Sequence, residues 1–581
     1  MTAMLRRPAQ HALGLLFVLT MFTLPNGTEV SAQETWQYET GGESVTPKGR
    51  ELFFYEQRAW PFGKIPQNSR AVAVEQLEKM SRFSARRVQA DDAWRQIGPT
   101  MVGGRVRSIA LHPTDGNTLW IGAADGGVWK STDRGASWTA QMQDANAIAM
   151  GALGVDPQNP SVLYAGTGEL SSNVDAYTGA GVFKTTDGGD TWESIGLTRV
   201  GAFSRIVVDP MNGQNVYAGA TKNNDGFYVS RDGGESWRRT FDDPVTEVVI
   251  NPQNPQEIWI GLAANGVRFS NDGGETWVNR SSGFGGTGIT VARTSLAVYP
   301  ADPSIIYALV YEYVGTDQSS SFSRIYKSTN KGSSWQRIYN NTGGNNFMSN
   351  QGSPSQGWYN NVIAVKPDDP DVILAGGVRM VRTTNGGSNW AQIANVVHVD
   401  HHAMAFDPSN PSVFYSGNDG GMYRSDNQGD SWTNINDGLA ITQFYALAID
   451  QREANLTYGG TQDNGTLRTS STRHSDVFGG DGFEVAVDPE NETIIYIERE
   501  RGQMYRISGG TAVNMFTSSG IPAAQDLVNW SAPLRLDPND ATRLYSGRNR
   551  LSVTFNPRGP RGTFDWTPVS PAVAGNISTM A

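Results

Sequence analysis

The sequence predicts an all-β propeller built from short antiparallel hairpins. Three observations predict it: a composition with 66 Gly and 16 Trp among 581 residues, a turn motif that recurs seven times, and a four-strand cycle around each copy. Charged residues are only 18% of the chain and hydrophobic ones 38%, a balance too apolar for a disordered polymer. Gly and Trp at this level suit tight turns covered by large flat side chains.

The chain opens on an export signal. Arg6 and Arg7 precede an apolar run from Leu13 to Leu24, and Val30-Ser31-Ala32 places small residues where a signal peptidase cuts, so residues 1–32 read as a signal peptide. The run falls short of the roughly 20 apolar residues that span a bilayer, and no second one follows. A secreted, periplasmic or cell-surface protein without a membrane span after cleavage is expected. Residues 33–92 form an extension with one helix, which Asn68 or Ser69 caps and which runs from about Ala71 to Arg82, after a loose segment containing Trp60-Pro61-Phe62-Gly63.

The repeats follow. The motif Ser/Thr-x-Asp/Asn-x-Gly-x-x-Trp centres on Asp133, Asp187, Asp232, Asp272, Asn330, Asn385 and Asn427, each followed by its Gly and Trp. Its chemistry is structural: the Asp or Asn side chain folds onto backbone N–H groups, Gly supplies a positive φ, and Trp covers the hairpin. A calcium loop needs several fixed acids where each copy has at most one. Around the first motif lie Val106 to Leu111, a His112-Pro113 turn, Leu119 to Gly122, a Gly-containing turn and Val128 to Ser131, which makes four short strands ending past Trp138. Ten such cycles, at about 40 to 65 residues each, are the mark of propeller blades.

The last three cycles lack the motif. Seven blades complete a ring, so residues 93–438 are expected to form a seven-bladed propeller. Residues 439–581 would then hold three degenerate blades, the start of a second, apparently truncated propeller. The alternative is a single ten-bladed ring, closed by a strand at Gly575 to Ala581.

The motif is identified as the Asp-box, or bacterial neuraminidase repeat, and the chain resembles sortilin-like and xyloglucanase-like exported bacterial propellers. Gly103-Gly104-Arg105-Val106, Gly126 to Lys130 and Thr461-Gln462-Asp463-Asn464-Gly465 carry the likeness. Resemblance to sialidases would require an Arg-Ile-Pro string, which is absent. Resemblance to sortilin implies a peptide-binding ring followed by cysteine-rich modules, and this chain has no Cys. The xyloglucan-active hydrolases use two aspartates, acid and base, from opposite propellers. Asp125 in Ala124-Asp125-Gly126-Gly127 resembles one slot and Asp463 the other, with Asp419 in Asn418-Asp419-Gly420-Gly421 as an alternative. Asp-Gly and Asn-Gly are also preferred hairpin turns, so turn chemistry alone explains each of them.

Two further groups mark a ligand face. His398, Asp400 and His402 alternate in an expected strand, so they would share one face toward the central channel, where they would hydrogen-bond the wall or hold a metal. Trp358 and Tyr359 end a long Gly/Asn/Ser loop, and Arg105 precedes the first strand. The net charge of −11 excludes a general nucleic-acid binder, and the absence of Cys excludes disulfides and thiolate metal sites. No cofactor is implied. The expected function is an exported binding or scaffold propeller for protein or glycan ligands, and the alternative is a secreted endo-β-glucanase acting from Asp125 and Asp463.

Overall fold

A computed structural model describes residues 48–580 apart from 60–63, 66–68, 82–95, 144, 171–175, 341–345, 350–353, 454, 471–472, 516–527 and 574–575. The signal-peptide expectation and parts of the 340–361 loop lie outside the described residues. Among those described, no helix is long and apolar enough to cross a membrane.

Ten four-stranded antiparallel sheets follow one another along the chain, each a meander whose neighbouring strands pair in sequence order. The protein is a β-propeller. The first sheet comprises Val106–Leu111, Leu119–Ala123, Gly127–Ser131 and Thr139–Ala140. Its second strand is wholly buried because it is apolar on both faces and sandwiched between neighbouring sheets.

The seven motif turns join the third and fourth strands of the first seven sheets. In the first, Asp133 Oδ1 accepts from the Ser131 hydroxyl at 2.8 Å and from the Ser137 amide at 2.8 Å, while Gly135, at φ +86°, donates its amide to Ser131 Oγ at 2.8 Å. The same bonds recur around Asp187, Asp232, Asp272, Asn330, Asn385 and Asn427. Side-chain and backbone donors hold Asp232 and Asp272 down to about 2, so these turns keep ionised carboxylates as acceptors.

Latches tie most of the seven sheets to the next. Trp120 Nε1 donates to Gly188 O, Tyr164 OH to Gly233 O and Trp259 Nε1 to Lys331 O, in each case a carbonyl in the following sheet's motif turn. Arg382 does the same to Gln428 O, and Arg424 of the seventh sheet donates to Arg134 O in the first. The first strands of sheets one and seven pack together, and one apolar cluster joins Val106, Ile121 and Trp138 to Tyr415, Met422 and Ile435. Seven sheets therefore close on themselves.

Sheets eight, nine and ten, from Phe444–Ile449 to Trp566–Pro568, pack on one another in an arc. Leu447 and Ile449 on its leading strand remain 68% and 62% exposed, so the arc does not share the closed ring's continuous core. Residues 576–580 are not a strand, in contrast to the expected ring-closing segment; Ile577 instead donates its amide to Arg548 O and lies over Gly547.

Two helices precede the sheets, α1 (Lys48–Ala59) and α2 (Ser69–Ser81). The second matches the expected helix, while α1 was not foreseen.

Trp138, 9% exposed, spans the closure and donates from Nε1 to Ile435 O at 2.7 Å. Trp138→Ala is expected to lower stability by about 3–5 kcal/mol. Trp192→Ala, at a half-buried Trp bonded within its own turn, costs less, and urea unfolding measures both.

Candidate functional site

Propeller first strands line the channel, and here they carry charge inside otherwise apolar segments: Arg107, Arg205, Glu247 and Arg293. Arg105, just before the first strand, is 4% exposed and forms the hub of a buried plug. Its Nε meets Glu169 Oε1 at 2.8 Å and its Nη1 donates to the Tyr359 hydroxyl. The Tyr359 hydroxyl in turn donates a hydrogen bond to Asp419 Oδ2 at 2.7 Å. His402 lies between Arg107 and Asp419. Arg107 donates to His402 Nδ1, so the proton is on Nε2, which bonds Asp419 Oδ1 at 2.7 Å. Burial, reinforced by Arg107 and Arg105, drives the imidazole pKa well below its usual value and keeps it neutral.

The plug assigns several of the sequence candidates. Arg105, Tyr359, His402 and Asp419 are brought together, but as a buried hydrogen-bonded network. Asp419 is 2% exposed, and each of its carboxylate oxygens already accepts a hydrogen bond inside the plug. Trp358 is half-buried beside Tyr359, ring centroids 5.5 Å apart, and its carbonyl accepts from Arg293.

The expected His398, Asp400, His402 row does not form. The strand begins only at His401, because Asp400 adopts φ +65° and breaks the two-residue period. Asp400 instead accepts from the Asn360 amide, and burial with Asp419 and Asp463 nearby raises its pKa well above the carboxylate range. His398 faces the carbonyl oxygens of Val399 and Asp463, each at 3.0 Å. Among the described residues no group of three or more acids and imidazoles is placed to hold a metal ion.

Asp125 and Asp463 border two clefts at the channel mouth that adjoin at the turn 462–464. Asp125 occupies the turn between the second and third strands of the first sheet, in a cavity of about 400 Å³ edged by Phe54, Tyr177, Phe444 and Tyr445. Helix α1 reaches this cleft: Arg58 stacks over Tyr177 at 4.5 Å, and Phe54 lies 6.0 Å from Tyr445. The Gln443 side-chain amide donates to Asp125 Oδ2. Desolvation, with the Glu169 charge nearby, pushes Asp125 up to about 7 against the opposing pull of Arg105 and that hydrogen bond. Asp463 has φ +59° and donates its amide to Asp481 Oδ1 at 2.7 Å. It shares a cavity of about 520 Å³ with His398, Tyr423, His474, Asp476 and Phe478.

Glu169, Arg107, Arg293 and Gln443 escaped sequence reasoning. A single charge inside an apolar first strand was the available signal for the two arginines, whereas Glu169 and Gln443 sit in loops that only the ring brings to the centre.

No family model matches the chain. It is similar to a xyloglucanase of Paenibacillus sp, 27% identical over 225 residues that cover 32% of this chain and 22% of that protein. It is also similar to a xyloglucanase of Hypocrea jecorina (strain QM6a), 27% identical over 248 residues, 40% of this chain and 27% of that one. The matches thus span about a quarter of either relative. Among solved structures, the GH74 xyloglucanase from Xanthomonas campestris superposes with a TM-score of 0.54 at 16% identity, covering 83% of this chain and 81% of that one. An ancestral GH74 enzyme gives 0.62 at 17%, covering 83% and 72%. The chain is thus similar to xyloglucanases over part of its sequence and shares the propeller fold with the solved structures.

The raised Asp125 carries a stability signature. A carboxyl held at about 7 in the fold against about 3.8 in the unfolded chain is favoured protonated, so its destabilising effect is absent below about 4 and complete above about 7. Asp125→Asn removes that effect. The thermal midpoint of Asp125→Asn relative to wild type is expected to rise as pH goes from 4 to 8 and to level off beyond; a pH-independent difference would contradict the assignment.

Proposed function

We propose that this protein is a secreted glycan-active propeller that hydrolyses β-glucan chains, xyloglucan foremost, at the mouth of the seven-bladed ring. The observation that carries the reading is Asp125, a carboxyl kept protonated up to about 7 in a cleft edged by four aromatic rings. A general acid at neutral pH needs such a raised pKa, and aromatic faces stack on sugar rings. The similarity to xyloglucanases supports the substrate class.

In this reading Asp125 protonates the glycosidic oxygen while Asp463, across the 462–464 turn, takes a proton from the attacking water. The C–O bond breaks, the acid's proton leaves with the departing sugar, and the water oxygen joins the anomeric carbon. An inverting reaction needs the two carboxyls roughly 6.5–9.5 Å apart. Asp419 is given no part in it, since it is 2% exposed inside the plug and borders neither cleft. Residues 439–581, which supply Gln443 and Asp463, serve as the opening of a second propeller that walls the cleft, and the Arg6-Arg7 signal exports the protein.

A binding role without hydrolysis is the second reading. It is favoured by α1, whose Phe54 and Arg58 already stack on two of the cleft's aromatics.

Reducing-sugar release from xyloglucan and other β-glucans separates the two. Asp125→Asn and Asp463→Asn should each lower the rate by about 10²- to 10⁴-fold, the usual contribution of an acid or base. Wild-type activity should fall as pH rises through about 7, where Asp125 loses its proton. Folded wild type that binds xyloglucan on an affinity gel yet releases no sugar would establish binding alone.

A further inference from the structure

Deeper in the ring lies a second polar centre that the clefts at the mouth do not use. Arg107, Arg205, Arg293, Glu247, Asn361 and His402 line an internal cavity of about 10 Å³, room for one occupant of about the size of a water molecule.

Its three guanidiniums are unequally compensated. Arg205 pairs with Glu247, Nε to Oε1 at 2.5 Å. Arg107 lies 3.9 Å from Glu169, a carboxylate already held by Arg105 at 2.8 Å, and its other contact is the neutral His402. Arg293 has no carboxylate within ion-pair distance among the described residues. It is 8% exposed, and its Nη groups donate to the carbonyls of Tyr359 at 2.6 Å and Asn361 at 3.3 Å. Its charged neighbours are Arg107, Arg205 and the already paired Glu247.

Donors are left over as well. The Nε atoms of Arg107 and Arg293 have no hydrogen-bond partner, and Asn361, 2% exposed, engages neither atom of its side-chain amide. A buried cation without a counter-charge and buried donors without acceptors are both strongly unfavourable, and a single small anion relieves both. A tetrahedral oxyanion exceeds the space. A water molecule would accept from two of the donors and leave the charge of Arg293 in place.

From this geometry we infer that the ring's channel is a binding site for one small monovalent anion of the halide type, held by Arg293, Arg107 and Asn361. The site is independent of the glycan reading, because none of these residues borders the Asp125 or Asp463 cleft.

Bromide tests it directly. Crystals of the wild-type protein soaked in sodium bromide should show an anomalous peak in the channel within contact distance of Arg293 Nε. Density that refines as water without anomalous signal overturns the site. In solution, the thermal midpoint should rise and saturate with sodium bromide or chloride relative to sodium gluconate at equal ionic strength, as ligand binding to the folded state requires. Arg293→Met should abolish the halide dependence and Asn361→Ala should weaken it. Equal midpoints for wild type in all three salts also overturn it, a result that does not depend on either variant folding.

Discussion

The latch between a sheet and the next motif turn is the constraint on which the molecule depends. One strand of a blade supplies a Trp, Tyr or Arg donor, and the turn that follows in space supplies a backbone carbonyl fixed in position by its Asp or Asn. Arg424 to Arg134 O is that same bond made between residues 290 apart in sequence. Because closure repeats the ordinary inter-sheet contact, the seventh sheet needs no special seam. The bond also appears without the motif: Arg506 of sheet nine donates to Gly559 O in the turn joining the third and fourth strands of sheet ten, while Leu447 and Ile449 on the leading strand of sheet eight stay exposed.

Closure has a chemical consequence at the axis. Seven first strands converge, and any charge they carry is taken out of water whether or not it has a function. The chain answers with a network in which Arg105, Glu169, Tyr359, Asp419, His402 and Arg107 are joined link by link. Removing one partner of such a network leaves its neighbour buried and unpaired, which costs more than the pair itself contributes.

The repeat made the fold legible from sequence, since hydrophobic alternation, turn chemistry and the Trp slot all point the same way in each of the first seven cycles. The count of seven before the motif fails also pointed to where the ring closes. The site was legible only in part. Asp125 and Asp463 could be singled out by local pattern, but what raises Asp125 is desolvation in the folded ring and the charge of Glu169, which is distant in the chain. His398, Asp400 and His402 misled because a two-residue period was assumed through Asp400. Its left-handed backbone is held by pairing with the turn at Gly377 and Val378, a tertiary contact without a local signature. Helix α1, which was not expected, docks Phe54 and Arg58 on aromatics distant in the chain.

The same residue type in superficially alike turns performs opposite electrostatic tasks. Asp232 sits at the surface, receives donors from Ser230 and Ser236, and is held near 2. Asp125 sits in a turn of the same blade architecture, receives one amide from Gln443, faces the charge of Glu169, and is pushed to about 7. The difference of about five pKa units comes from desolvation and donor count, with no change in the side chain itself. An Asp-Gly pair in this fold is therefore uninformative by itself. What distinguishes an acid able to donate a proton at neutral pH from a turn-former is how many donors the ring brings to it and how much water it removes, and both are properties of the closed propeller.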